Sequence, residues 1–111
     1  MEKLVNSEKP SLYRGDILRF PAKYPYEDCV DYMIAVDTSS GDSNWFLIVS
    51  SGYKAGHVVR AFPDESISKR YGGIKTSWII KNWNKWIYDG CNADEVYIAE
   101  HYVSNLLLDN T

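Results

Sequence analysis

Two apolar runs separated by a polar turn lie near the middle of the chain. The first run, Trp45 to Val49, is apolar at five successive positions, and the second, Val58 to Phe62, follows a turn bracketed by Gly52 and Gly56. β-Branched and aromatic residues favour strands, and glycines favour the turn between them. The pattern predicts a β-hairpin at the centre of a sheet. Because the first run does not alternate with polar residues, we expect it to be covered on both faces.

Three other segments have the composition of strands, because each is rich in aliphatic or aromatic residues and is bounded by turn-forming residues. They are Tyr13 to Phe20, Tyr32 to Asp37 and Glu95 to Glu100. Alternation in the last of them predicts Val96 and Ile98 on one face of the strand, with Tyr97 and Ala99 on the other.

The segment after the hairpin has the periodicity of a helix. At about 100° per residue, five apolar residues fall within an arc of about 120°. They are Ile79, Ile80, Trp83, Trp86 and Ile87. The pattern predicts one amphipathic helix from Thr76 to Tyr88, capped by Thr76 or Ser77 and ended by Asp89-Gly90. Trp78 falls outside this arc, so we expect it either to close the core from the loop side or to be exposed.

These segments together predict a single α+β domain over residues 1–111, in which residues 1–11 are a loose lead-in. The expected architecture is an antiparallel sheet of about five strands, with the hairpin central and the helix 76–88 packed across one face. A small SH3-like barrel with a helix is the alternative, because short, strongly bent strands can also close into a barrel. Ala22 to Asp28 is expected to form an exposed loop, and Tyr102 to Leu108 a short terminal helix.

The composition is that of a globular protein with an excess of aromatic residues. Charged residues make up 24% of the chain and hydrophobic residues 45%, which gives no sign of disorder. Nine tyrosines and four tryptophans stand out. Each combines an apolar ring with a polar tip, so the excess favours a protein that uses aromatic surface for recognition.

No segment has the length and apolar character of a signal peptide or a membrane span, so a cytoplasmic location is expected. Cys29 and Cys91 form no metal-ligand spacing. In the cytoplasm both are expected to be reduced structural thiols.

Charge is divided into blocks along the chain. Residues 27–42 contain five acids and no Lys or Arg, and residues 89–111 contain five more, again without a base. Residues 54–85 contain seven bases against two acids. Tyrosines accompany both acidic blocks, and an acidic surface rich in tyrosine suits docking to a basic protein. The other interpretation is that these acids only solvate exposed loops.

The expected docking surface consists of the acids and tyrosines of these two blocks. They are Tyr24, Tyr26, Glu27, Asp28, Asp31, Tyr32, Asp94, Glu95, Tyr97 and Glu100.

Sequence motifs for catalysis or metal binding are missing. His57 and His101 are the only histidines, and neither lies in a metal-ligand spacing. No nucleophile elbow, phosphate-binding loop or dinucleotide fingerprint occurs. We therefore predict no catalytic residue, no metal and no cofactor, and expect the chain not to be an enzyme. A metal site from the histidines and cysteines, or an acid–base pair of His57 with Glu100 or Asp37, would require the fold to bring them together.

A small nucleic-acid-binding domain is the alternative function. The basic block 54–85, with Tyr53, Tyr71 and Trp78, would supply cations and stacking rings. The acidic isoelectric point of about 5.3 argues against it. The residues alone therefore rank a protein-binding module first and a nucleic-acid binder second.

Four motifs resemble a known family. They are RGDILRF, FLIVSSGYKAG, TSWIIKNWNKWIY and DEVYIAEHY, and the likeness runs from about Tyr13 to Tyr102. Together they resemble the small immunity proteins of bacterial polymorphic-toxin and contact-dependent growth inhibition systems, and most of all the type called immunity protein 45.

The resemblance implies a cytoplasmic antitoxin that binds one cognate toxin C-terminal domain in a one-to-one complex and is encoded beside it. Such toxins are commonly nucleases, including ones that cleave transfer RNA, so the antitoxin would cover a basic active or substrate-binding face. It implies no catalytic residues, no cofactor, no membrane and no direct contact with nucleic acid. It does not identify the interface, which the charge pattern alone predicts.

Overall fold

The computed structural model describes residues 1–102 and contains, within that range, eight strands and one α-helix. The strands are β1 (Glu2–Lys3), β2 (Ser11–Leu12), β3 (Ile17–Pro21), β4 (Cys29–Asp37), β5 (Asn44–Val49), β6 (Val58–Ala61), β7 (Ile74–Lys75) and β8 (Tyr97–Ala99). The helical segments are α1 (Thr76–Asn82), a π-helical turn (Trp83–Ile87) and three 3-10 turns (Leu4–Asn6, Asp64–Ser66 and Ala93–Glu95).

Six of the strands form one antiparallel sheet in the order β1-β8-β3-β4-β5-β6, and β2 pairs with β7 in a separate ribbon. The α+β class, the antiparallel sheet and the single domain are therefore confirmed. The sheet has six strands instead of about five because Glu2 and Lys3 add a short edge strand opposite Ile98 and Tyr97. Within residues 1–102 the two edges, β1 and β6, do not pair with each other, so the sheet is open and the SH3-like barrel is wrong.

The predicted hairpin forms, but it is not central. β5 and β6 pair with a bulge between Leu47 and Ile48, and β6 is an edge strand. The middle of the sheet is β3 and β4. β4 begins at Cys29, three residues before the predicted start at Tyr32, and Cys29 and Asp31 pair with Pro21 and Arg19 of β3. The sequence prediction missed this extension because Cys29 and Asp31 are not typical strand residues.

One face of the sheet carries the main hydrophobic core. α1 and the π-helical turn cover this core face with Trp78, Ile79, Trp83 and Ile87. The sheet supplies Leu18, Phe20, Val30, Tyr32, Ile34, Leu47, Val49 and Ile98. Val96 and Ile98 are buried and Tyr97 is exposed, which confirms the alternation predicted there.

The opposite face of the sheet, the far face, is less completely covered. Phe46 and Ile48 of β5 lie on it and are half-buried, whereas Leu47 and Val49 lie in the core. We expected both faces of this strand to be covered. The core face is fully covered, whereas the far face is covered only in part.

The predicted helix changes type half-way along its length. α1 ends at Asn82, the π-helical turn follows, and Tyr88 is extended. The side chain of Asn82 donates a hydrogen bond to the carbonyl of Trp78 at 2.9 Å. A π turn contains more residues than an α turn, and periodicity alone does not distinguish them.

The ends of the helical segment also differ from expectation. Lys75 precedes α1, and no side chain caps it. Thr76 is the first helical residue, and its buried hydroxyl has no partner among the described residues, so the predicted cap is wrong. Trp78 is buried with its ring 5.9 Å from that of Phe62, which confirms that it closes the core from the loop side.

The N-terminal residues are anchored rather than loose. Leu4 is fully buried, and its N–H donates to the carbonyl of Val96 at 2.8 Å. Ser11 and Leu12 pair with β7. A single buried leucine in a mostly polar segment has no periodicity, so this contact could not be predicted from sequence.

The start of the first predicted strand is a turn. Asp16 accepts a hydrogen bond from the Tyr13 N–H through Oδ2 at 2.7 Å, and β3 begins only at Ile17.

Within residues 1–102, no helix is long and apolar enough to cross a membrane. The short helix predicted from Tyr102 to Leu108 lies, apart from Tyr102 itself, outside the described residues.

Candidate functional site

The loop that joins β3 to β4, residues 22–28, projects from one end of the sheet. It is closed by a hydrogen bond from the Ala22 N–H to the Asp28 carbonyl at 2.9 Å, and it contains an inner turn from the Tyr26 N–H to the Lys23 carbonyl at 2.9 Å. Tyr24 at its tip is 95% exposed. The loop is therefore a defined structure that presents an aromatic ring to solvent, as predicted for Ala22 to Asp28.

Three contacts fasten this loop to its surroundings. The Lys23 N–H donates to Tyr88 Oη at 2.9 Å, just after the π-helical turn. The Tyr53 N–H, in the turn between β5 and β6, donates to Glu27 Oε1 at 2.9 Å, and this bond lowers the pKa of Glu27. A third bond runs from Tyr32 Oη to Tyr26 Oη at 3.0 Å. The loop is thus tied to the helical segment, the hairpin turn and the sheet.

Aromatic rings form the floor of the loop. Tyr32 is only 1% exposed, and its ring lies edge-on to Phe20 at 4.8 Å and to Tyr26 at 6.1 Å. Burial raises the pKa of its hydroxyl. Tyr32 therefore supports the loop from inside the core and is not available for direct contact with a partner.

Asp31 is also inside the protein, but on the far face. Arg19 donates to both of its carboxylate oxygens, from Nε at 2.7 Å and from Nη2 at 2.9 Å, and Tyr102 Oη donates at 2.7 Å. Burial alone would raise the pKa of Asp31, but the hydrogen bonds from Arg19 and Tyr102 outweigh it, so the pKa is lowered. This carboxylate is fully used within the chain and is not free to bind a partner's base.

The second acidic block reaches the same end of the sheet. β8 runs antiparallel to β3, with Tyr97 opposite Arg19, so the residues just before Tyr97 lie toward the Pro21 end of β3. Asp94 and Glu95 occupy the 3-10 turn there and are exposed. Glu95 Oε2 accepts the Asn92 N–H at 2.8 Å, which fixes the turn.

Glu100 is separated from the other acids. It follows β8 at the opposite end of the sheet and forms an ion pair with Lys9 at 2.6 Å, which lowers its pKa. A groove of about 470 Å³ lies there, and Asp16 and His101 are among its lining residues.

The ten predicted surface residues thus divide into three groups. Four exposed residues lie at one end of the sheet, and the exposed Tyr97 follows them in β8 on the far face, opposite Arg19. Together they form what we call the acidic end: Tyr24, Asp28, Asp94, Glu95 and Tyr97. Four others, Tyr26, Glu27, Asp31 and Tyr32, are half-buried or buried and hold neighbouring segments in place. Glu100 lies apart from both groups.

Tyr53 is a neighbour of the acidic end that charge reasoning missed. It is 68% exposed in the hairpin turn, residues 50–57, and its backbone is bonded to Glu27. The available signal was an aromatic residue in a turn between Gly52 and Gly56, where a polar residue is usual.

The basic block 54–85 is spread over the molecule. Lys54 lies in the hairpin turn, and the Arg60 guanidinium stacks on the Trp86 ring at 3.7 Å. Another groove, of about 540 Å³, contains bases together with two acids. Its charged lining residues are Asp64, Glu65, Lys69, Arg70 and Lys75.

The histidines, cysteines and acids of residues 1–102 contain no group of three or more that could hold a metal ion. Cys29 is exposed, Cys91 is buried, and neither forms a disulfide. His57 and His101 are both exposed.

A comparison with protein families identifies the chain. The model of the family immunity protein 45 matches residues 4–98, which is most of the sequence. The chain belongs to the immunity protein 45 family. This match confirms the resemblance seen in the four motifs. Searches of curated proteins and of solved structures found no match to the chain. An immunity protein acts in a toxin–immunity system, so membership of this family implies a cognate toxin as the binding partner.

Proposed function

We propose that this immunity protein neutralises a cognate toxin nuclease in the cytoplasm by covering its active or substrate-binding face in a one-to-one complex. The toxin would be the C-terminal domain of a contact-dependent or related bacterial toxin, and a transfer-RNA-cleaving nuclease is one candidate. Inhibition is by occlusion, so the immunity protein needs no catalytic residue and no cofactor.

The observation that carries this proposal is the acidic end. A nuclease must bind the phosphate backbone of its substrate, so its substrate face is basic. Acids from two distant parts of the sequence, Asp28 and the Asp94–Glu95 pair, lie exposed at the same end of the sheet, with Tyr24 and Tyr97 in the same group. Opposed surface charges accelerate encounter, and tyrosines supply contact area with little loss of side-chain entropy.

The support beneath this surface favours tight binding. The loop of residues 22–28 has hydrogen bonds to Tyr88, Tyr53 and Tyr32, so its conformation is fixed before a partner arrives. A surface that is already ordered loses less entropy on association.

Charge reversal tests the proposal. The double variant Asp28→Lys/Asp94→Lys should lower the association rate constant with the toxin about tenfold at low salt, because long-range attraction becomes repulsion. The rate is measured by stopped-flow fluorescence at several salt concentrations, and the difference from wild type should shrink as salt screens the charges.

The matched control is Asp42→Lys/Asp64→Lys. It makes the same change in net charge at exposed residues, Asp42 after β4 and Asp64 after β6, toward the other end of the sheet. We expect its rate to stay within about threefold of wild type, since the field of a surface charge falls off over roughly 10 Å. Equal effects of the two double variants would contradict docking through the acidic end.

The nucleic-acid alternative has weaker support. Only three of the seven bases of residues 54–85, Lys69, Arg70 and Lys75, line one groove, and they share it with Asp64 and Glu65. Filter binding with RNA and DNA at low salt distinguishes the two functions. Phosphate binding would be strong at low salt and would fall steeply as salt rises.

A further inference from the structure

The hairpin turn lies beside the loop of the acidic end. It joins β5 to β6 and is closed by hydrogen bonds from the Gly56 N–H to the Val49 carbonyl at 2.7 Å and from the Val49 N–H to the His57 carbonyl at 2.8 Å. Tyr53 projects from it with most of its ring in solvent. The Lys54 ammonium lies 5.6 Å from the centre of that ring.

Glu27 joins the turn to the loop. Its carboxylate accepts the Tyr53 N–H and lies against Gly52, so closely that a Cβ at position 52 would collide with the carboxylate. Gly52 also has a φ of +71°, a backbone conformation that residues other than glycine rarely adopt. Two features of the turn, the missing side chain and the free N–H, are therefore both used to receive Glu27.

We propose that Tyr24 and Tyr53 together contact the cognate toxin, and that Glu27 is the positioning residue that holds the two rings in a fixed relation. We call them the tyrosine pair. This inference rests on the proposed function and adds the hairpin turn to the docking surface. It also changes the role of Glu27, from an acid that meets the toxin's bases to a tie within the immunity protein.

The exposure of the two rings supports this role. They are the two most exposed tyrosines of residues 1–102, at 95% and 68%. Tyrosine is enriched at the energetic centres of protein interfaces, because its ring offers a large, rigid contact area and its hydroxyl a hydrogen bond. Neither ring packs in the core cluster, so folding does not account for them.

The surrounding charges indicate what kind of partner fits. Two bases, Lys23 and Lys54, lie next to the rings in the loop and the hairpin turn. They are outnumbered by the acids at this end of the sheet, which are Glu27, Asp28, Asp94 and Glu95. A nucleic acid would be repelled by the acids, whereas a protein face with basic groups around apolar recesses would accept both the rings and the carboxylates. The partner is therefore a basic protein surface, as the proposed function requires of the toxin.

Binding measurements with single variants test the tyrosine pair. The toxin domain encoded beside the immunity protein is the probe, and isothermal titration calorimetry gives its dissociation constant. Tyr24→Ala and Tyr53→Ala should each raise the dissociation constant about tenfold or more. Tyr71→Ala is the matched control, since Tyr71 is also exposed, at 49%, but lies after the hairpin in the 63–73 connection, so its effect should stay within about twofold.

A double-mutant cycle tests the positioning role of Glu27. Glu27→Ala should weaken toxin binding in the wild-type background but have little further effect when Tyr53 is already alanine, because there is then no ring to position. Its effect on the thermal midpoint should be the same in both backgrounds, because the hydrogen bond uses the backbone N–H of residue 53. Glu27→Gln keeps an acceptor oxygen and should restore most of the affinity.

The outcomes separate this inference from the proposed function. If the wild-type protein binds the toxin and both tyrosine variants bind equally well, the tyrosine pair is wrong while the proposed function stands. If Glu27→Ala weakens binding equally in both backgrounds, the positioning role is wrong. If the wild-type protein does not bind the toxin, or if RNA is bound instead and the tyrosine variants abolish that binding, both proposals fall.

Discussion

Replacing Trp83 by alanine should lower the free energy of unfolding by about 4 kcal/mol, the largest effect we expect from any single substitution in this chain. Trp83 is fully buried, and its ring lies edge-on to Phe20 at 4.9 Å, where the π-helical turn meets the sheet. Alanine would leave a cavity of indole size between these two layers. Urea denaturation followed by circular dichroism measures the change.

Two further variants show whether the loss comes from packing. Trp83→Phe keeps an aromatic ring against Phe20 and leaves a smaller cavity than alanine, so it should cost only about 1–2 kcal/mol. Trp86→Ala removes a half-buried ring of the same helical segment and should cost less than Trp83→Ala. A Trp86→Ala loss as large as that of Trp83→Ala would mean that the core is not centred on Trp83.

The sequence predicted the parts of the fold that have a regular hydrophobic pattern. The runs Trp45–Val49 and Val58–Phe62 became β5 and β6, and the periodic segment after Thr76 became the helical cover of the core. The position of the hairpin at one side of the sheet was not predictable in this way, because the order of strands depends on contacts between distant segments. The start of β4 was missed since Cys29 and Asp31 resemble loop residues when read alone.

The acidic blocks predicted a docking surface made of their acids and tyrosines, but not which of these residues are exposed. Asp31 and Tyr32 are neighbours in β4, and neighbouring residues of a strand point to opposite faces. They could not both belong to one surface, and the structure places Tyr32 in the core and Asp31 on the far face. The predicted strand began at Tyr32, so this alternation could be applied to Asp31 only once the structure had placed the start of β4 at Cys29.

The role of Glu27 could not be predicted from sequence. Its partner, the N–H of Tyr53, is 26 residues away along the chain and is a backbone group that every residue except proline possesses. Only the packing of the loop against the hairpin turn distinguishes the Tyr53 N–H from the other backbone N–H groups of the chain. Charge patterns indicate where acids are concentrated, whereas hydrogen bonds decide which of them remain available to a partner.

Asp31→Asn should have the second-largest effect, a loss of about 2 kcal/mol in the free energy of unfolding at pH 7. The substitution removes the charge that receives two hydrogen bonds from Arg19 and one from Tyr102. An amide also places an N–H where one of these donors now points. The loss is smaller than for a fully buried ion pair because nearly half of the Arg19 side chain is in solvent, where water screens the interaction.

The pH dependence identifies the charge as the cause. The pKa of Asp31 is lower in the folded protein than the value of about 3.9 expected when unfolded. Its contribution to stability is therefore fully present above the unfolded value and is lost as the pH falls through the folded value. The stability difference between wild type and Asp31→Asn should be constant from pH 7 down to about pH 5 and should shrink at lower pH.

Urea denaturation of both proteins between pH 7 and pH 2.5 measures this difference. Asp42→Asn, at an exposed residue of the loop after β4, is the matched control and should follow wild type throughout. A difference for Asp31→Asn that stays the same down to pH 2.5 would show that the amide disturbs packing rather than charge. If instead the difference shrinks as expected, the ion pair with Arg19 stabilises β3 and β4 at the Pro21 end, and so supports the loop that carries Tyr24 and Glu27.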